Sequence, residues 1–393
     1  MEKNKTYLIS GLVIVIILAG TIGWSLGKSD LNKVQEKSGA VPAQSKDDLF
    51  AGEKPEEIIT LKIPIPPTFH SGQEVIAEKY GFLEEEGIRL ERVGAIPWAD
   101  QLVALKTGKI DFVSAHPDFF INANKGGMKI KGVMTASFGH PVYPHHDIYV
   151  LENSSIKEPK DLIGKKVATS PSQVGSWDLG CGGFYWTAYF KEYNIPRDQV
   201  IPVNVPEPQH EQALKQGLVD AITAGPTYSA VYQKKGGFRK LWSSWDVFGK
   251  SPVDKQDAEI GMIGFTQEFI DKNPEAVRGL VRAYVKSQAW TDDNHEISAE
   301  YIGALNGWPP AVEGEHHLSA TGLVRERALQ QWIDWYEDIG LLKPGDVKLK
   351  DLYTNEFNPY DRYKVNDPVK NPTFYDTYQL EWAKKRDVNL TSK

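Results

Sequence analysis

One phrase of the sequence occurs twice, and this repetition limits what the chain can fold into more than any other feature. Residues 104–117 read ALKTGKIDFVSAHP and residues 213–226 read ALKQGLVDAITAGP, seven identities in fourteen without a gap at an offset of 109. Each copy reads as a helix ended by glycine (Gly108 or Gly217), a short apolar strand (110–115 or 219–224) and a turn that opens another helix. The match extends loosely upstream, where FLEEEGI at 82–88 and FKEYNI at 190–195 each close an amphipathic helix before a strand at 88–93 or 200–205. Strands at 61–65 and 166–170 precede those helices.

Each half therefore reads strand, helix, strand, helix, strand, with connections long enough for parallel pairing and right-handed crossover. The expected fold class is α/β with two similar lobes. In open sheets of this kind small molecules bind beyond the C-terminal ends of the strands, where helix N-termini present unpaired N–H groups. Six loops fall at those ends: 66–72, 95–100, 115–119, 170–176, 205–210 and 225–228.

They supply the candidate ligand-binding residues. The first loop offers Thr68, Phe69, His70 and Ser71, the second Trp98 and the third His116. The fourth offers Ser170, Ser172, Gln173 and Ser176 with Trp177 just beyond, the fifth Glu207, and the sixth Gly225 and Thr227. Polar hydrogen-bonding groups mixed with aromatic rings suit a small-molecule cleft, although Ser and Thr at such places also serve simply as helix caps. None of the six loops contains Arg or Lys, which disfavours a strongly charged ligand such as nitrate and leaves neutral or dipolar ones open. Phe69, Trp98, Phe119, Trp177 and Trp186 are candidates to sandwich a flat ring.

The arrangement resembles the periplasmic binding proteins of the family that includes aliphatic-sulfonate, taurine, nitrate and bicarbonate binders and thiamine-pyrimidine-precursor binders. The resemblance covers about residues 58–345. It is carried by the helix from Gln73 to Gly81 with FLEEEGI, by LKTGKIDF, by Ser155-Ile156-Lys157 with Asp161 to Val167, by LKQGLVDA, and by FTQEFIDKNPEAV at 265–277. It implies a two-lobed, type II Venus-flytrap fold with a hinge: residues 58–150 and 255–345 in the first lobe, 151–254 in the second, and 346–393 an extension packing on a lobe. Ligand would sit between lobes that close on it. The implied function is the solute-binding component of an ABC importer, with a small-molecule ligand, a permease and its ATPase as partners and a monomeric chain. Relatives in pyrimidine synthesis are enzymes, and Gly180-Cys181-Gly182-Gly183-Phe184 resembles their cysteine-rich stretch without its other cysteines, so a pyrimidine-synthesis-like enzyme and a tethered ligand sensor are the alternatives.

The N-terminus bears on location. Lys3 and Lys5 precede an uncharged run from Leu8 to Trp24, expected to be a signal sequence or membrane anchor within residues 1–27. Residues 28–57 are rich in charged and small polar residues and read as a flexible linker. Together they place the rest of the chain outside the cell membrane, tethered to it, or periplasmic or secreted if the signal is cleaved.

Composition excludes other classes. A formal net charge of -7 gives no field for nucleic acid. The single cysteine, Cys181, permits no internal disulfide and no cysteine-based zinc cluster. His210-Glu211 and His295-Glu296 begin an HExxH pattern, but Leu214 and Ala299 stand where the second histidine belongs. His145-His146 and His316-His317 would ligate a metal only with partners from elsewhere, and neighbours on a strand face opposite ways. No P-loop, dinucleotide fingerprint or nucleophile elbow is present. Neither a metal site, a cofactor nor catalysis is expected, and Cys181 would be a nucleophile only if a histidine approached it.

Overall fold

The computed structural model describes residues 57–65, 72–97, 100–137, 144–170, 177–178, 180–246, 260–294, 297–298, 301 and 321–363. The segments expected as anchor and linker lie outside the described residues, apart from Glu57, as do the last thirty residues of the chain. No described helix is long and apolar enough to cross a membrane.

In the first half the chain runs β1 (Ile59–Ile65), α1 (Gly72–Lys79), α2 (Phe82–Glu85), β2 (Ile88–Ala95), α3 (Gln101–Lys106), β3 (Phe112–Ala115), α4 (Pro117–Lys125) and β4 (Ile130–Ser137). It then builds β5 (Asp147–Leu151), β6 (Lys166–Thr169), α5 (Gly180–Tyr193), β7 (Ile201–Asn204), α6 (His210–Lys215), β8 (Ala221–Ala224), α7 (Pro226–Lys235) and β9 (Phe238–Ser243). The return comprises β10 (Gly261–Thr266), α8 (Gln267–Lys272), α9 (Pro274–Asp293), α10 (Glu326–Asp338) and α11 (Leu349–Leu352).

The repeated phrase makes the same structure twice, down to individual hydrogen bonds. Helices α3 and α6 end where Gly108 and Gly217 take φ of 67° and 70°, a left-handed conformation that costs glycine nothing sterically. The next N–H, of Lys109 or Leu218, turns back to the carbonyl of Ala104 or Ala213 at 2.9 and 3.0 Å. The repeated aspartate then ties its strand to the first strand of its own half. Asp111 accepts the N–H of Lys62 on its carboxylate at 2.7 Å and donates its own N–H to the Lys62 carbonyl at 2.9 Å. Asp220 does the same with Lys166, at 2.9 and 2.8 Å. A carboxylate accepting a backbone N–H makes a strong, charge-assisted bond.

Both halves thus share one strand order. The second sheet runs β7-β6-β8-β5-β9, and the first half has β2 beside β1 and a β3-β10-β4 ribbon joined to β1 through Asp111. Within each repeat the pairing is parallel, as expected, for β1 with β2 and for β6 with β7 and β8. The expectation of wholly parallel sheets is corrected by β5 and β10, each antiparallel to both neighbours. These two strands are where the chain crosses between halves, β5 on the way out and β10 on the way back. Each therefore enters its sheet against the parallel run, next to the repeat strand.

One apolar cluster runs through both halves, including Phe119 and Phe120 of α4, Tyr185 and Trp186 of α5, and Trp332 of α10. Helix α10, expected to pack on the first lobe, in fact bridges the two. Its Tyr336 hydroxyl accepts from Asn122 Nδ2 of α4 at 2.9 Å. Its Trp332 ring stacks on Phe184 of α5 with centroids 4.3 Å apart, and Trp335 Nε1 donates to Thr187 Oγ1 of α5 at 3.1 Å. The start of the extension docks on the first lobe, where Tyr353 bridges to Gly132 of β4.

Candidate functional site

The two repeats set His116 and Gly225 at matching places just past β3 and β8, and only part of the expected ligand set falls within the described residues. Thr68, Phe69, His70, Ser71, Trp98, Ser172, Gln173 and Ser176 lie outside the described residues, and of Thr227 only the backbone, in α7, is described. Ser170 follows β6 directly and is buried. His116, Trp177, Glu207 and Gly225 can each be placed.

His116 occupies the N-cap of α4, with Pro117 at the first helical position. Its Nδ1 lies 3.1 Å from the carbonyl oxygen of Ile260, the residue before β10. A carbonyl only accepts, so Nδ1 carries the proton and the ring's lone pair is on Nε2. The ring lies parallel to that of Trp332, centroids 6.0 Å apart, and edge-on to that of His145 at 4.9 Å. Burial pushes its pKa down to about 4.

Around His116 the structure assembles a group the sequence did not connect. His116, His145 and Cys181 are all buried, and one nitrogen or sulfur atom from each lies within 4.8 Å of the other two. His116 arrives from the end of β3, His145 from the approach to β5, and Cys181 from the first turn of α5. The local sequence around Cys181 permits this. A Cβ on Gly183 would come within 2.6 Å of the Asp178 backbone, so glycine there lets the preceding loop fold back over the helix.

The neighbouring His146 also precedes β5 rather than lying in it, so the strand alternation expected for the pair does not apply, and both rings pack on Tyr185. The His146 ring sits among Tyr185, Trp186 and Trp242 at centroid distances of 5.6, 5.6 and 6.0 Å, and burial, then the nearby His210, lower its pKa to about 3. Next along, Asp147 is fully buried and pairs with Lys240 at 2.8 Å. Burial raises the Asp147 pKa against that pull. His210, the head of the rejected HExxH pattern, is buried with its ring nitrogens 2.9 Å from the carbonyls of Thr223 and Val205.

At the matching point of the second repeat stands Gly225, the N-cap of α7. Its N–H, which a ligand's anionic group would be expected to use, donates instead to Glu207 Oε1 at 2.9 Å. The carboxylate thus sits at the helix N-terminus, where the dipole favours negative charge, while burial raises its pKa. Trp177 is half-buried and packs on the side of α5, its ring 4.7 Å from Trp186 and 5.3 Å from Phe190. The Arg197 guanidinium lies 5.0 Å from the ring centroid, donates to the Trp177 carbonyl and bonds Asp178 at 2.8 Å. Trp177 is therefore built into the second half's aromatic packing.

Residues 69–296, more than half of the chain, match the family model described as NMT1/THI5 like. No curated protein matches the chain in sequence. Among solved structures it is similar to the periplasmic aliphatic sulphonate binding protein SsuA from Escherichia coli, with 21% identity and a TM-score of 0.60 over 77% of this chain and 99% of that one. It is also similar to the periplasmic nitrate-binding protein NrtA from Synechocystis PCC 6803, with 14% identity and a TM-score of 0.57 over 78% and 88%. The desulfurization enzyme DSZB aligns with 16% identity and a TM-score of 0.55 over 78% and 99%. At these identities the likeness concerns the fold, the two-lobed periplasmic-binding-protein architecture.

Proposed function

The chain belongs to the NMT1/THI5-like family, and from that premise we propose that it is the extracytoplasmic solute-binding component of an ABC importer. It captures a small organic molecule or anion, sulfonate-, nitrate- or pyrimidine-like, between two lobes and hands it to a membrane permease driven by an ATPase. It works as a monomer held at the membrane by its N-terminal segment. The observation that carries this reading is the duplicated strand-and-helix unit, whose two copies present the same strand ends in two halves linked by the crossing strands β5 and β10. SsuA and NrtA, with the same fold, are binding proteins.

The site narrows the ligand. Glu207 already fills the α7 N-terminus, so an anionic group has little to gain there, and a hydrogen-bond donor facing that carboxylate gains more. A dipolar solute with its negative end toward the first lobe fits this asymmetry better than nitrate does. The approach of Cys181 to two imidazoles favours a second reading, thiol-based catalysis; DSZB, a desulfurization enzyme, has a similar fold.

The test is thermal unfolding of the full chain in mild detergent against alkanesulfonates, taurine, nitrate, bicarbonate and aminopyrimidines. A solute present at a hundred times its Kd adds about 2.7 kcal/mol of stability. A shift with a dipolar sulfonate or pyrimidine supports the proposal, and no shift with any member of the panel contradicts it.

A further inference from the structure

His116, His145 and Cys181 do more than pack together. We propose that they form a binding site for a single cuprous ion, held by two imidazole nitrogens and one thiolate. This goes beyond the importer reading and does not depend on it.

Three observations carry the proposal. The first is convergence: three of the side chains best suited to transition metals meet from three separate elements, with ligand atoms no more than 4.8 Å apart. In a three-coordinate site of two nitrogens and one sulfur, with bonds of about 2.0–2.3 Å, the ligand atoms stand roughly 3.5–3.8 Å from one another. Closing around an ion thus asks each pair to approach by no more than about 1.3 Å, within reach of small side-chain rotations. The second is orientation. The bond from Nδ1–H of His116 to the Ile260 carbonyl fixes the tautomer that leaves the lone pair on Nε2, as an outer partner does for metal-ligating histidines.

The third observation is charge, and it selects the ion. All three residues are at most 2% exposed, and among the described residues aromatic rings pack beside two of them: Trp332 beside His116, with Phe184 stacked on Trp332, and Tyr185 beside His145. The group contains no carboxylate among the described residues. One thiolate balances one positive charge, so Cu(I) with two neutral imidazoles gives a neutral complex, whereas Zn(II) would leave a net positive charge in a buried site and find only three ligands in this group. Thiolate and imidazole together suit copper. Binding forms the sulfur–copper bond and releases the thiol proton to solvent, with no change in oxidation state.

The full reduced chain, in mild detergent and without oxygen, is titrated with Cu(I) against a chromophoric Cu(I) chelator, and with Zn(II) in parallel. The site predicts withdrawal of one Cu(I) per chain, affinity for Zn(II) at least about 100-fold weaker, and Cys181→Ser and His116→Gln each weakening Cu(I) by at least about 100-fold. No withdrawal, equal affinity for Zn(II), or full affinity in folded variants overturns it. Should the variants fail to fold, the wild-type chain decides, because Cys181 is its single cysteine and bulk thiol alkylation in moderate denaturant reports on it alone. One equivalent of Cu(I) is expected to slow that alkylation at least about tenfold, and an unchanged rate overturns the site. The solute panel fails or succeeds independently of either measurement.

Discussion

The two copies of the repeated unit agree in their scaffold and part company one residue past the strand. Both stop a helix with a left-handed glycine and both tie the strand down through an aspartate, Asp111 to Lys62 and Asp220 to Lys166. At the strand's end the first copy sets His116 and the second Gly225. The histidine gathers a second imidazole and a thiol, and the glycine offers an N–H that Glu207 takes. Duplication therefore supplied the frame, and of the seven positions at which the copies differ, the one just past the strand sets the contrast between His116 and Gly225. Function belongs to such sites more than to the fold that carries them.

The largest effect is expected at Trp332, buried completely between the halves and stacked on Phe184. Trp332→Ala should cost about 3–5 kcal/mol by removing a large buried ring, and because α10 touches both halves, calorimetry should still show one transition. Two separate transitions in the wild-type chain would mean that the halves are independent frames. Next comes Trp177→Ala, expected to cost about 2 kcal/mol through lost packing on Trp186 and Phe190. Urea unfolding checks this; unchanged stability with weakened solute binding would return Trp177 to the role of ligand platform.

The aspartates test the frame itself. Asp111→Ala should cost about 1.5–2 kcal/mol and Asp220→Ala about 1 kcal/mol, since the second bond is the more exposed and water replaces part of it. Equal scaffolds predict that both act through the same bond, so a cost at one site alone would break the parallel. The smallest effect is at the site where the copies differ. Glu207→Gln removes the negative charge from the α7 N-terminus and should raise affinity for an anionic solute about threefold to fivefold by calorimetry. Weaker anion binding would show that Glu207 supports the ligand's anionic end.

Much of this frame is legible in the sequence. Fourteen residues with seven identities mark both helix stops, both strands and both turns, because glycine at a C-terminal stop and apolar runs of strand length are local signals. The antiparallel crossing strands are not legible, since direction in a sheet follows from where the chain returns and leaves no local mark. The bridging position of α10 is hidden for a similar reason: its apolar face calls for a partner without naming which lobe provides it. His145 and Cys181 each stand out as a residue, but their meeting with His116 exists only after three distant elements have packed. Trp177 and Glu207 look like ligand groups by loop position, and only the fold reveals Arg197 over one and the Gly225 N–H on the other.

The central claim, capture of a solute without chemistry, is tested most directly by equilibrium dialysis of the full chain against the dipolar sulfonates and aminopyrimidines, followed by mass spectrometry of the recovered solute. The account predicts one solute retained per chain and recovered unchanged. Solute converted to product, with conversion abolished by Cys181→Ser, would contradict it and make the chain an enzyme.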